Sequence, residues 1–208
     1  MELLIVILTY AGIAVFAASG AIAAARRKHT IIEFIFFATI TGIGGGTLRD
    51  LLIGVPVFWI HQNAYLAVCA GVAVSVWLLG TRVWHFRALL WLDAIGLAAF
   101  SVIGAAKTLS LGLPPLVAVA MGVLTGTFGG IIRDVLANQP SILLGREIYV
   151  SAALLGSGVF VMLTAAGLET FVAGIIGTMA GFALRGGALA FGWTLPGYRE
   201  PIADRPGG

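Results

Sequence analysis

The chain has 208 residues, 60% of them hydrophobic and only 10% charged, and a formal net charge of +3. A soluble domain of that length needs far more charge on its outer shell, so the composition requires an integral membrane protein. The single Cys69 excludes an intrachain disulfide or a cysteine-based metal centre and reads as a small buried packing residue.

About 20 apolar residues cross the hydrocarbon core as a helix. On that ruler seven spans are predicted, over residues 3–25, 31–53, 64–80, 88–111, 115–136, 148–167 and 170–190. The first ends in Ala23-Ala24-Ala25-Arg26, which imitates a signal-peptide cleavage site. It starts with Glu2 and has its positive charges after the apolar run, so it reads as a retained helix.

Sliding the sequence against itself by 84 residues, without a gap, pairs Gly12 with Gly96, Phe16 with Phe100 and Gly20-Ala21 with Gly104-Ala105. The match continues through Thr41-Gly42 with Thr125-Gly126, Gly45-Gly46 with Gly129-Gly130, Arg49-Asp50 with Arg133-Asp134, Pro56 with Pro140 and Tyr65 with Tyr149. Chance apolar similarity falls on Ala, Leu and Val, whereas these matches fall on Gly, Pro, Arg, Asp and Tyr; the repeat is genuine. Each copy holds three spans, an odd number, so the second enters the membrane from the opposite side.

The predicted fold class is therefore an all-α integral membrane protein with seven transmembrane helices: two inverted three-helix repeats plus a seventh helix. The domains are a first repeat (1–87), a second, inverted repeat (88–168), the seventh helix (169–191) and a loose cytoplasmic tail (192–208). Gly122-x-x-x-Gly126 and Gly177-x-x-x-Gly181 permit close helix approach, within the chain or between subunits.

Lys and Arg set the orientation. With the N-terminus outside, the inner side receives Arg26, Arg27, Lys28, Arg82, Arg87, Arg146, Arg185, Arg199 and Arg205, nine of the twelve basic residues. Arg49, Lys107 and Arg133 lie within spans. The basic excess is thus an inner-face feature suited to anionic lipid headgroups, and no nucleic-acid partner is expected. Trp59 at the outer boundary and Trp84, Trp91 and Trp193 at the inner one read as interfacial belt residues.

The candidate chemistry lies in the two glycine stretches and their Arg–Asp pairs. Burying Arg49, Asp50, Arg133 and Asp134 unpaired costs about 2.5–3.5 kcal/mol each, roughly 10–14 kcal/mol together. Adjacent residues on a helix point about 100° apart, so the partners are expected from other helices or from the pseudo-symmetric copy. Gly42, Gly44, Gly45 and Gly46, with Gly126, Gly129 and Gly130, each weaken a helix interior by about 1 kcal/mol relative to Ala. A local break in the second and fifth spans is predicted, its freed carbonyls ligating Na⁺ or K⁺. Thr41, Thr47, Thr125 and Thr127 add hydroxyl oxygens, Asp50 and Asp134 supply negative field, and Arg49 and Arg133 hold or gate the ion. The glycines fall near mid-membrane, so a glycine-lined waist is expected between two charged mouths. Lys107 either snorkels or regulates the path, and Asp93 and Glu33 read as interfacial. Static bracing by the Arg–Asp pairs is the competing structural account.

Catalysis is poorly supported. Ser19-Gly20 in an apolar helix has no base, because His29, His61 and His85 lie in loops or at helix ends. No metal cluster or phosphate-binding loop is present, and no cofactor is expected.

The run Thr41-Gly42-x-Gly44-Gly45-Gly46-x-x-Arg49-Asp50-x-x-x-Gly54, followed by Pro56-x-Phe58-Trp59, resembles bacterial members of the trimeric intracellular cation (TRIC) channel family. Ser19-Gly20-Ala21 and the echo Gly129-Gly130-x-x-Arg133-Asp134 agree, and the resemblance covers about residues 2–190. It implies seven helices, a homotrimer, one pore inside each protomer between the repeats, kinked second and fifth helices, and passive conduction of monovalent cations, chiefly K⁺. Permeating K⁺ or Na⁺ and bound lipid are the implied ligands, and the bacterial cytoplasmic membrane is the implied location. Phe128 replaces the glycine matching Gly44, which makes it, with Lys107, a candidate gating residue. The Lys-Glu-Val signature of animal members is absent. Bacterial relatives with this repeat have also been labelled glycine transporters, so an alternating-access carrier of a small amino acid is the alternative.

Overall fold

The computed structural model describes residues 2–80, 86–139 and 148–196. Among them are seven helices: α1 (Glu2–Arg26), α2 (Ile31–Leu52), α3 (Asn63–Leu79), α4 (Phe86–Ser110), α5 (Pro115–Leu136), α6 (Val150–Ala165) and α7 (Thr170–Phe191). Five are long and apolar enough to cross a membrane by length and composition, and α3 and α6 are shorter apolar helices. Arg82, Trp84, His85, Pro140, Arg146, Arg199, Arg205 and the tail from residue 197 lie outside the described residues.

Local chemistry sets the helix ends. The Glu33 carboxylate accepts from the Thr30 backbone N–H (2.6 Å) and hydroxyl (2.9 Å), a capping-box arrangement that starts α2. Pro115 stands at the first position of α5, where its missing N–H costs nothing. Glu169 accepts from Val172 N–H (3.2 Å) to cap α7, which ends at left-handed Gly192.

The inverted repeat appears as reciprocal contacts. Gly12 faces the Phe100 ring and Gly96 faces the Phe16 ring, and the two rings lie 5.4 Å apart. Gly20 packs on the Phe37 carbonyl and the Thr41 hydroxyl, as Gly104 packs on the Met121 carbonyl and the Thr125 hydroxyl. Even the turns repeat: Lys28 and Gly112, then Gly54 and Asn138, are left-handed pairs 84 residues apart. A contact that maps onto itself when the two halves are exchanged is the mark of a two-fold axis.

Helix α1 belongs to the core: Ile13, Phe16, Ala17, Ala21, Ile22 and Ala24 are buried with Phe34, Phe37 and Ala38 of α2, Cys69, Ala73 and Val76 of α3, and Phe100 of α4. Both small-residue steps serve packing inside the chain. Gly177 and Gly181 of α7 press on the backbone of α6 at Gly156 and Ala152, and Gly122 and Gly126 meet the α4 carbonyls of Ser101 and Leu97. Trp59 donates Nε1 to the Thr47 hydroxyl (2.9 Å), whereas Trp91 and Trp193 stay partly exposed against Phe182 and Phe191.

Two expectations are corrected. Helices α2 and α5 are each continuous through their glycine stretches, with no break. A carbonyl freed in lipid costs several kcal/mol, more than the roughly 1 kcal/mol that each helical glycine costs, so the helix stays closed. Arg185, counted with the inner flanking residues, is 1% exposed within α7 and donates Nη1 to the Ile148 carbonyl (3.3 Å). It packs in the core, with its guanidinium carbon 5.2 Å from the Tyr149 ring centroid.

Candidate ion pathway

Gly45 and Gly129 bring α2 and α5 into backbone contact. A Cβ on Gly45 would run into the Thr125 carbonyl, and one on Gly129 would run into the Thr41 carbonyl. Thr41 and Thr125 are repeat mates, as are Gly45 and Gly129, so the crossing lies on the pseudo-two-fold axis. The glycines are the contact itself. Gly44 is half-buried with only Ile132 near, Gly42 meets Cys69 and Ile13, Gly46 seats the Phe58 ring, and Gly130 faces Tyr149 and Asp93.

One helical turn beyond the crossing, about 6 Å along each axis, a charge cluster closes each end. At the first, Arg49 Nε and Nη2 both bind Asp50 Oδ1 at 2.8 Å, and Lys107 Nζ from α4 binds the same oxygen at 2.8 Å. Asp50 Oδ2 accepts the Phe58 N–H (3.0 Å), tying the segment after α2 back onto it. The Asp50 side chain is fully buried and that of Arg49 is 4% exposed, while Lys107 keeps 32% of its side chain exposed.

At the second, Arg133 Nε donates to Asp134 Oδ1 (3.0 Å), Nη2 lies 2.9 Å from the same oxygen as an ion-pair contact without a hydrogen bond, and Nη1 binds Asp93 Oδ1 of α4 at 2.6 Å. Nη1 also donates to the Ser19 hydroxyl of α1 (3.0 Å), which in turn donates to the Phe16 carbonyl. Asp93 and Lys107 are 14 residues apart on α4, so the clusters lie about 21 Å apart along it.

Both adjacent Arg–Asp pairs therefore neutralise each other, contrary to the expectation from their 100° separation. The Arg side chain is long enough to curl across that angle and donate Nε to the carboxylate of the next residue, with Nη2 in ion-pair contact beside it. Other helices still contribute, as expected: Lys107 to one cluster, Asp93 and Ser19 to the other. Asp93, read as interfacial, is 0% exposed, because the Arg133 guanidinium draws it inward. Lys107, read as either snorkelling or regulating the path, turns its ammonium to Asp50 with 32% of its side chain exposed.

Threonine hydroxyls largely serve their own helices. Thr47, Thr125 and Thr127 donate to the carbonyls of Ile43 (2.8 Å), Met121 (2.6 Å) and Val123 (2.8 Å), four residues back. Thr41 Oγ1 is buried without a partner among the described residues. Phe128 is half-buried in α5.

This twofold arrangement recurs in solved structures. A TRIC orthologue from Rhodobacter sphaeroides superposes with a TM-score of 0.87 at 43% identity, over 90% of this chain and 98% of that one. The chain belongs to the TRIC channel family. A second prokaryotic TRIC channel, solved in 0.5 M KCl, superposes with a TM-score of 0.85 at 27% identity over 94% of this chain and 100% of that one. A UPF0126 membrane protein of Vibrio cholerae is 38% identical over 192 residues, 90% of this chain and 80% of that protein. A family model described as "Glycine transporter" matches residues 6–81 and again 90–165. Both limits move by 84 residues (6 to 90, 81 to 165), the offset of the internal repeat.

In this TRIC chain, reading the sequence missed Asp93, Ser19, Phe58, Tyr149 and Arg185 as members of the charged clusters. Tyr149 carried a signal as the repeat mate of Tyr65, and Ser19 and Phe58 lay in the runs that carry the resemblance. Asp93 aligns with Thr9 and Lys107 with Ala23, so the repeat is silent about both.

Proposed function

We propose that this chain is a passive monovalent cation channel, conducting K⁺ through a pathway in each protomer between the two repeats. The observation that carries this reading is the α2–α5 crossing flanked by two buried charge clusters, in a fold that superposes on proteins described as TRIC cation channels. Charged groups at membrane depth mark ion pathways when they face one another inside a bundle. The pathway runs past Thr41, Gly42, Gly44, Gly45, Gly46, Thr47, Arg49 and Asp50, and past Thr125, Gly126, Gly129, Gly130, Arg133 and Asp134. The protein works as a homotrimer in the bacterial cytoplasmic membrane, N-terminus outside, with the Arg49 cluster at the outer mouth and the Arg133 cluster at the inner one. The carrier reading draws on the "Glycine transporter" description of the matched family model.

Current across a planar bilayer containing the purified protein, under a KCl gradient, decides between them. Discrete openings that reverse near the K⁺ equilibrium potential are the expected result. A silent bilayer from a preparation that accumulates labelled glycine in liposomes would replace the channel with the carrier.

Lys107 is the outer latch in this scheme, because it is the half-exposed member of its cluster and reaches Asp50 from a different helix. A partly exposed pair contributes ~0.4–1 kcal/mol, so Lys107→Met is expected to raise the ratio of open to closed channel roughly 2- to 5-fold. An unchanged open probability in single-channel records would remove the latch from the mechanism.

A further inference from the structure

Helices α1 and α7 both pack on α4, and between them lies an open groove of about 980 Å³ with α4 as its floor. Its walls are apolar: Ala11 and Val15 of α1, Ile95 and Ile103 of α4, and Ile175 and Met179 of α7. Ile95, Ile175 and Met179 are 43%, 50% and 60% exposed, so the described residues leave the groove uncovered. It follows α4 from Ile95 to Ser110, 15 residues apart and therefore about 22 Å along the helix. One leaflet of the hydrocarbon core is ~15 Å deep, so an extended acyl chain fits lengthwise. Spread over 22 Å, the volume gives a mean cross-section of ~45 Å², about half of what a helix 10–12 Å across occupies. The groove is shaped for chains thinner than a helix.

One end of the groove is charged. Helix α7 runs antiparallel to α4, with Gly174 against Val102 and Gly181 against Ala98, so Thr170 stands at the same end as Lys107 and Ser110. Arg49 lies behind Lys107, and both meet the single carboxylate of Asp50. None of the residues lining the groove is acidic, so this end carries a net positive charge. Glu169, which precedes Thr170, holds the Val172 N–H as the cap of α7. Lys107 spends one of its three N–H donors on Asp50 and keeps 32% of its side chain exposed, which leaves two donors for an anion. A net charge beside apolar walls at membrane depth requires a counter-charge that itself resides in lipid.

We propose that this groove binds one anionic phospholipid, with its acyl chains between α1 and α7 and its phosphate on Lys107. The apolar walls take the chains without regard to headgroup, and Lys107 selects the charge. The site stands on the groove and its basic end, and it holds whether the chain conducts ions or carries a solute.

The test reads binding without current. Native mass spectrometry follows the full-length protein in detergent with phosphatidylglycerol and phosphatidylcholine added in equal amounts. The wild type is expected to bind phosphatidylglycerol about fivefold more, the scale of one basic residue on an anionic headgroup. Lys107→Met is expected to bring that ratio down to roughly 1–2, and Lys107→Arg to keep it. Arg87→Met, at the opposite end of α4, is the control and keeps it as well. Gly174→Leu fills the groove from α7, where a Cβ would meet only Val102 Cγ1 at 3.8 Å, and is expected to cut bound phosphatidylglycerol at least threefold. Equal binding of the two lipids by the wild type, or equal losses in Lys107→Met and Arg87→Met, would overturn the site. A smaller assembly mass in Gly174→Leu would also overturn it, giving the groove to a second copy of the chain. Selective phosphatidylglycerol binding by a protein that passes no current would count against the channel and for the site.

Discussion

Replacing Arg133 with methionine is expected to destabilise the protein by about 3–5 kcal/mol, the range for removing one partner of a buried charge cluster. The guanidinium is fully buried and engages Asp93, Asp134 and Ser19 together. Its loss strands the fully buried Asp93 carboxylate away from water. Arg49→Met should cost clearly less, because Lys107 remains on Asp50 Oδ1 and the Phe58 N–H remains on Oδ2. The comparison is made by thermal unfolding in detergent, where about 3–5 kcal/mol lowers the Tm of a chain this size by roughly 6–20 °C. Adding Asp93→Asn to Arg133→Met should recover part of the loss, since it removes one stranded charge. Equal losses in the two Arg variants, with no recovery in the double variant, would show that the asymmetry between the clusters has no energetic weight.

Gly45→Ala and Gly129→Ala are the second pair of large effects. Each new Cβ would overlap a carbonyl of the facing helix, Thr125 or Thr41, and backbone cannot rotate aside as a side chain can. Overpacking of this kind costs on the order of 2–3 kcal/mol, a fall in Tm of roughly 4–12 °C. The control is Gly44→Ala, one residue away, where the nearest atom is Ile132 Cδ1 at 3.6 Å and a methyl group fits. That substitution should be neutral or stabilising by up to about 1 kcal/mol, the difference in helix propensity. A helix that needed glycine for a break would lose stability at all three positions alike. Similar falls for Gly44→Ala and Gly45→Ala would restore the broken helix and remove the crossing.

Hydropathy located all seven helices to within a few residues, because the bilayer demands about 20 apolar residues per span and lets little else into it. Self-comparison located the two halves, because Gly, Arg and Asp at matched positions are too costly in lipid to recur by chance. The same reasoning correctly required partners from other helices for Asp50 and Arg133.

Burial of Asp93 and Arg185 was not legible. Each lies close enough to a helix end to pass for an interfacial residue, and only the packing of α4 against α1 and α5, and of α7 against α6, shows which way it faces. The glycine stretches were misread for a related reason. A glycine's helix-weakening tendency is a local property readable from sequence, whereas its value as a contact depends on the carbonyl opposite. Such a carbonyl is supplied by a residue 80 or 88 positions away: Thr125 for Gly45, Thr41 for Gly129.

The sequence by itself determined a membrane protein of seven helices in two inverted halves, with its buried charge beside its glycines. Composition, span length and an ungapped repeat are one-dimensional quantities that lipid constrains directly. Only the tertiary structure decided that α2 and α5 stay continuous and touch at Gly45 and Gly129. It also decided that Asp93 joins one of the two pseudo-symmetric clusters and Lys107 the other. Both depend on which atoms stand across a helix interface, and an interface joins residues that the chain itself keeps far apart.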